Sequence, residues 1–152
     1  MQKQLTHIEF KKMQKNNSNN IIFVLDNLEH YENIGSAFRI ADAFNIDKIF
    51  IVAKDELNWR KIEKTARKCE KNINYELFNS VEDVLSKLNG IGYTPINIEI
   101  TTNSKPLRDV DFSCFQKVVI IVGNERTGVS DEFLQKVPLS YHIEMYGNNS
   151  SR

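Results

Sequence analysis

The chain has 152 residues, enough for one domain that buries about two-thirds of the surface its unfolded form exposes. Its 20 basic and 20 acidic residues cancel, which removes any overall pull toward nucleic acid or anionic membrane and requires a polyanion site to be local. The two cysteines, Cys69 and Cys114, lack paired spacing, which argues against a zinc site or disulfide framework, fits a reducing cytosol and reads as two ordinary core thiols.

Residues 1–20 form an extension and linker ending in KNNSNN (Lys15–Asn20), without the apolar run of a signal peptide. No later stretch approaches the ~20 apolar residues that span a bilayer. A soluble, cytoplasmic protein with one domain over residues 1–152 is expected. Short β-branched runs then alternate with helical patterns, the signature of an α/β fold with a parallel sheet and helices on both faces. The strands read as Ile21–Leu25, Lys48–Val52, Ile73–Phe78, Thr94–Ile100 and Lys117–Val122. Between the first two, Ala37, Ile40, Ala41 and Phe44 fall at i, i+3, i+4 and i+7 and predict one apolar helical face, with Arg39 projecting opposite. Between the second and third, Trp59, Ile62, Ala66 and Cys69 form another stripe. Arg60, Lys64, Arg67 and Lys71 line a basic edge of the same helix. A further helix is predicted over Val81–Leu88, leading through Asn89-Gly90 to the fourth strand.

After the last strand, Gly123–Ser130 read GNERTGVS, one residue short of the phosphate-loop pattern GxxxxGK[ST]. Val129 stands where the lysine that reaches the β- and γ-phosphates belongs. The loop still falls at the carboxyl end of a sheet strand, where open α/β sheets bind ligands. Gly123 and Gly128 are expected to take positive φ and let backbone groups approach a ligand closely, and Ser130 to cap the next helix. Asp131 and Glu132 in its first turn suit the helix dipole but repel phosphate, so a neutral or cationic ligand fits better than an anion. A plain strand-to-helix turn is the other reading of this loop.

Three stretches together resemble the SpoU/TrmH-type RNA 2′-O-ribose methyltransferases of the SPOUT superfamily. LDNLEHYENIGSAFRIADAFNIDKIFI (Leu25–Ile51) is similar to the family's first motif, VVIIVGNERTGVSDEF (Val118–Phe133) to its second, and HIEMYGNNSSR (His142–Arg152) to the start of its third. The resemblance implies an α/β knot binding S-adenosylmethionine, a homodimer, and methyl transfer to a ribose 2′-hydroxyl of tRNA or rRNA, with no metal and no membrane partner. It implies catalytic roles for Arg39, which anchors phosphate and stabilises the oxyanion, for Asn33 and for Glu125, which orients the arginine or shapes the pocket. The donor is expected against Gly123, Asn124, Gly128, Ile143, Met145 and Ser151. RNA contacts fall to Arg60, Lys64, Arg67 and Lys71, with Lys3, Lys11, Lys12 and Lys15. Without the resemblance, Arg39 and the lysine-rich edge read as solvated surface, Asn33 as a turn or the cap of a helix starting near Ser36, and Glu125 as a turn residue. Tyr31 and Tyr146 stack on a base, pack on the donor's adenine, or fill core and rim.

Glu144 stands where the family commonly has Pro, and the family's last apolar helix would follow Arg152. The expectation is therefore that residues 1–152 alone bind the donor weakly and are inactive. The alternatives are a SPOUT-like module that binds RNA without catalysis and, lower, a phosphate-loop nucleotide hydrolase. A Rossmann dinucleotide enzyme ranks last, since no GxGxxG follows the first strand.

Overall fold

Alternate residues of each apolar run face opposite sides of one sheet, and that alternation builds two cores. The computed structural model describes residue 4 and residues 20–99, 101, 103–111 and 115–143. Strands β1 (Ile21–Asp26), β2 (Lys48–Val52), β3 (Asn74–Phe78), β4 (Thr94–Ile98), β5 (Lys105–Pro106), β6 (Val118–Val122) and β7 (Ser140–His142) pair in the order β3-β2-β1-β6-β4-β7-β5. Every pairing is parallel. Helices α1 (Tyr31–Ala43) and α2 (Trp59–Ala66) cover Leu25, Ile49 and Ile51 on one face. Helices α3 (Val81–Asn89) and α4 (Asp131–Lys136) cover Ile22, Val24, Phe50, Val52, Val119 and Ile121 on the other. Among the described residues, no helix is long and apolar enough to cross a membrane.

The predicted strands all form, within a residue or two at their ends; Ile100 lies outside the described residues. The short strands β5 and β7 carry no continuous apolar run and were not expected. Three helical expectations are corrected. Helix α1 starts at Tyr31, with His30 before it, so Asn33 sits inside its first turn rather than capping a helix near Ser36. Its buried stripe is Ile34, Ala37, Phe38 and Ala41, leaving Ile40 49% and Phe44 63% exposed. The same i, i+3, i+4, i+7 spacing fits both stripes, and Gly35 decides between them by letting α2 approach. A Cβ there would lie 2.7 Å from Thr65 Cβ and 2.8 Å from the Ala66 nitrogen. Finally, α2 ends at Ala66. Arg67 and Lys68 take left-handed φ of 52° and 71°, and Lys71 falls in a separate 3₁₀ turn, Cys69–Lys71. The basic edge is thus broken between Lys64 and Lys71.

At the amino ends of the strands, the Tyr93 hydroxyl donates to Asp47 at 2.8 Å. Burial, this bond and the Asp47 charge push the phenol from 10.0 up to about 12. A raised folded pKa favours the neutral phenol, so this contribution is complete below pH 10.0 and fades as pH climbs through about 12. Tyr93→Phe is expected to flatten that alkaline loss in melting temperature; an unchanged alkaline limb would disprove the assignment.

Candidate functional site

Beside β1 the sheet order jumps to β6, and the chains leaving these neighbours diverge: β1 runs into α1 on one face, β6 into α4 on the other. The crevice between them is the topological switch point of the sheet. The loop after β6 folds there as a tight hairpin, with Asn124 N donating to Gly128 O at 3.0 Å and Gly128 N to Asn124 O at 2.8 Å. Asn124 Oδ1 accepts from the N–H groups of Arg126 and Thr127 at 2.8 and 3.1 Å. Its Nδ2 donates to the Asn27 carbonyl at 2.8 Å and fastens the hairpin to the end of β1.

Gly128 has the expected positive φ, 77°. Gly123 does not, and this corrects the expectation for it: what the position requires is space, since a Cβ would overlap the Gly128 carbonyl carbon and the Val129 nitrogen. Ser130 is also corrected. It precedes α4 without side-chain capping, and its Oγ donates instead to Asp26 Oδ1 at 2.9 Å while its N–H donates to Asp26 Oδ2 at 2.6 Å.

A phosphate loop needs free N–H groups aimed at the anion. Here the N–H groups of Asn124 and of Arg126 through Ser130 have protein acceptors. Those of Asn124, Arg126, Thr127 and Gly128 are used within the hairpin. That of Val129 goes to Glu99 Oε2 at 2.9 Å, and that of Ser130 goes to Asp26. Three carboxylates thus converge on the loop, and its field disfavours phosphate.

Glu125 crosses the crevice. Its carboxylate accepts the N–H groups of Glu29 and His30 at 2.8 and 2.9 Å and the Asn33 side-chain amide at 2.7 Å. It therefore does the capping that His30 does not, at the positive end of α1. Burial pushes its acid upward, but the bonds from Glu29, His30, Asn33 and its own N–H outweigh that and hold it below its ordinary 4.5. A depressed folded pKa adds stability above the ordinary value that disappears as pH falls through the folded one. Glu125→Gln is expected to lose this acid-side dependence in urea denaturation below about pH 4.5. A wild-type slope retained in the variant would overturn the assignment.

Asn33 and Glu125 are therefore in contact, whereas Arg39 stands apart. Six residues further along α1, about 9 Å by helix rise, it is exposed and makes no hydrogen bond or ion pair among the described residues. Its charge is felt by the Cys69 thiol, which burial and the neighbouring Asp42 push upward. Among the expected donor contacts, Asn124 and Gly128 line a cavity of about 560 Å³ at the crevice, with Asp26, Lys54, Ser80 and Ser130. Gly123 packs beneath the hairpin, and Ile143 is exposed after β7. Met145 and Ser151 lie outside the described residues, as do Lys3, Lys11, Lys12, Lys15, Cys114, Glu144 and Tyr146. Arg60, Lys64, Arg67 and Lys71 border one shallow concavity of about 420 Å³ together with Glu63 and Glu70.

Asp26 and Glu99 were missed from sequence. Asp26, 1% exposed, anchors Ser130, and Glu99 holds Val129. Their signal was a carboxylate directly ending an apolar strand, in IIFVLD and TPINIE.

An all-parallel sheet with a fastened Gly-bearing loop at its switch point defines an α/β ligand-binding domain of the open-sheet class. The chain belongs to the SpoU rRNA Methylase family, whose profile matches residues 20–151. Its fold is similar to that of the AdoMet-bound rRNA methyltransferase from Sinorhizobium meliloti, with TM-score 0.78 and 21% identity over 90% of this chain and 51% of that one. The A. aeolicus TrmH/SpoU tRNA modifying enzyme is similar at TM-score 0.76 and 22% identity, covering 93% of this chain and 75% of that one. The SpoU methyltransferase AviRb from Streptomyces viridochromogenes, in complex with AdoMet, gives TM-score 0.74 and 20% identity over 90% of this chain and 55% of its own. The chain thus spans about half the length of the Sinorhizobium and Streptomyces proteins. No curated protein matches it significantly in sequence. The trefoil implied by the third motif depends on residues after 143, outside those described.

Proposed function

We propose that this domain transfers a methyl group from S-adenosylmethionine to a ribose 2′-hydroxyl of tRNA or rRNA, in the cytoplasm and as a homodimer. The observation that carries the reading is the Glu125 clamp, which joins the family's first and second motifs across the switch point. The loop fits the donor: the N–H groups of Asn124 and of Arg126 through Ser130 are consumed, and Asp26, Glu99 and Glu125 make its surroundings suited to a cation rather than a polyphosphate. When bound, S-adenosylmethionine supplies an electrophilic methyl on a positive sulfur. Gly123, Asn124 and Gly128 shape the wall it rests on, with Ile143, Met145 and Ser151 contributing from the third motif.

Such a displacement needs in-line placement of the 2′-oxygen, loss of its proton, and stabilisation of the charge that grows on it. Arg39, exposed on α1 and without an ion pair among the described residues, anchors a phosphate and steadies the developing oxyanion. As a guanidinium it is too weak a base to take the proton. Asn33 and Glu125 hold the two loops in register. Ile40 on α1 and Phe44 just after it are exposed near Arg39, and the homodimer would cover them. Arg60, Lys64, Arg67 and Lys71 hold RNA phosphates. The separation of Arg39 from the hairpin within one chain is the observation that favours the second reading, RNA binding without catalysis.

The test is methyl transfer by the full-length protein to cellular RNA from a strain lacking the gene, followed by nuclease digestion. A 2′-O-methylnucleoside is expected. A base-methylated product, or donor binding without any transfer, would refute the ribose assignment.

A further inference from the structure

Within the loop after β6, Gly123–Ser130, the charged side chains are two neighbours of opposite sign, Glu125 and Arg126. The fold parts them. Glu125 turns onto the N–H groups of Glu29 and His30, where the positive end of α1 offsets its charge. Arg126 stays outside, with 76% of its side chain exposed, and its Nε lies 3.1 Å from Glu29 Oε2. Its backbone is fixed even so, because the Arg126 N–H donates to Asn124 Oδ1 at 2.8 Å. The hairpin therefore carries a guanidinium at the rim of the switch-point cavity, whose wall includes the flanking Asn124 and Thr127.

An ion pair this exposed is weak, so Glu29 orients the guanidinium without holding it against a stronger anion. The contact uses Nε, and a guanidinium has further N–H donors in a planar fork that matches two oxygens of a phosphodiester. Such binding is by side chain, on the outside of a hairpin whose own backbone N–H groups are largely spent. We propose that Arg126 anchors an RNA phosphate at the mouth of the crevice, and that the incoming phosphate displaces Glu29 from it. The assignment rests on the RNA reading above. It adds a phosphate anchor on the hairpin itself, from which Arg39 stands apart, and a carboxylate that competes with the substrate for that anchor.

Fluorescence anisotropy of the full-length protein with labelled bulk tRNA, and separately with labelled bulk rRNA, from a strain lacking the gene tests it. Arg126→Gln is expected to weaken binding about 5-fold at about 0.1 M salt and to lower the salt slope by roughly 0.7–0.9, the share of one phosphate contact, against no more than half that for Lys136→Gln on α4. Arg126→Lys keeps the charge without the fork and should recover only part of the loss. Glu29→Gln is expected to act in the opposite direction and tighten binding at least about 2-fold, and a double-mutant cycle should show most of that gain gone when Arg126 is glutamine. Simple removal of a negative charge would give the same gain in both backgrounds. Melting temperatures and calorimetric S-adenosylmethionine binding are measured for each variant. Weaker binding in both single variants would make the ion pair a structural brace, and wild-type RNA affinity in Arg126→Gln would remove the anchor; either result overturns the proposal while leaving RNA methylation standing. So would lost donor affinity in Arg126→Gln with RNA binding intact. No binding of either RNA by a protein that still binds the donor would overturn both readings.

Discussion

Alanine at Gly123 is expected to lower stability by about 3 kcal/mol, roughly 6–12 °C in melting temperature for a domain of this size, and to abolish donor binding. The methyl carbon would overlap backbone atoms of Gly128 and Val129, which no rotamer change relieves. Moving them breaks the Asn124–Gly128 pair, and with it the alignment of Val129 N–H on Glu99 and Ser130 N–H on Asp26. Asp26 is buried, so a lost partner leaves an uncompensated charge rather than one returned to water. Alanine at Gly128 makes a useful comparison. The Cβ there meets the end of the Glu99 side chain, which can swing away, but the left-handed φ remains strained. The two changes are to be compared by thermal melts and by calorimetric titration with S-adenosylmethionine. Wild-type donor affinity in Gly123→Ala would show that the hairpin's shape is irrelevant to binding.

Replacing Arg39 with alanine is expected to reduce methyl transfer at least about 100-fold, the scale of losing one charge-stabilising donor at the reacting atoms. The melting temperature should stay within about 2 °C, because Arg39 is exposed and makes no hydrogen bond or ion pair among the described residues. Lysine there should recover little, since an ammonium cannot reproduce the planar fork that grips phosphate. Donor binding, measured separately, should be retained. This pairing of intact fold and donor site with lost turnover separates the enzyme from the non-catalytic module, in which Arg39→Ala would change RNA affinity alone. Activity at wild-type level would remove Arg39 from the chemistry altogether.

How far the sequence reached differs between elements for physical reasons. Strands β1, β2 and β6 were legible because a parallel strand buried on both faces must be apolar at nearly every position, a property local to five or six residues. Strands β5 and β7, two and three residues long, leave no such trace. Helix α1 was legible as a helix but not in its rotation, since Ile40 and Phe44 satisfy the same spacing as Ile34 and Phe38. Only the docking of α2 against Gly35 separates the two. The turn that breaks the basic edge depends on two left-handed residues, Arg67 and Lys68, whose identities give no hint of it.

At the site, the loop's location and its unsuitability for phosphate could be read from the missing lysine and the acidic first turn of α4. The partner of Glu125 could not, because Glu29 and His30 lie 96 and 95 residues away along the chain. Residue types and short-range periodicity therefore determined the fold class, most element positions and the Gly-bearing loop. Tertiary structure alone decided which strand lies beside β1, which face α1 buries, and that Glu125 caps a helix. Those outcomes come from hydrogen bonds and close packing between segments that only the folded sheet brings together.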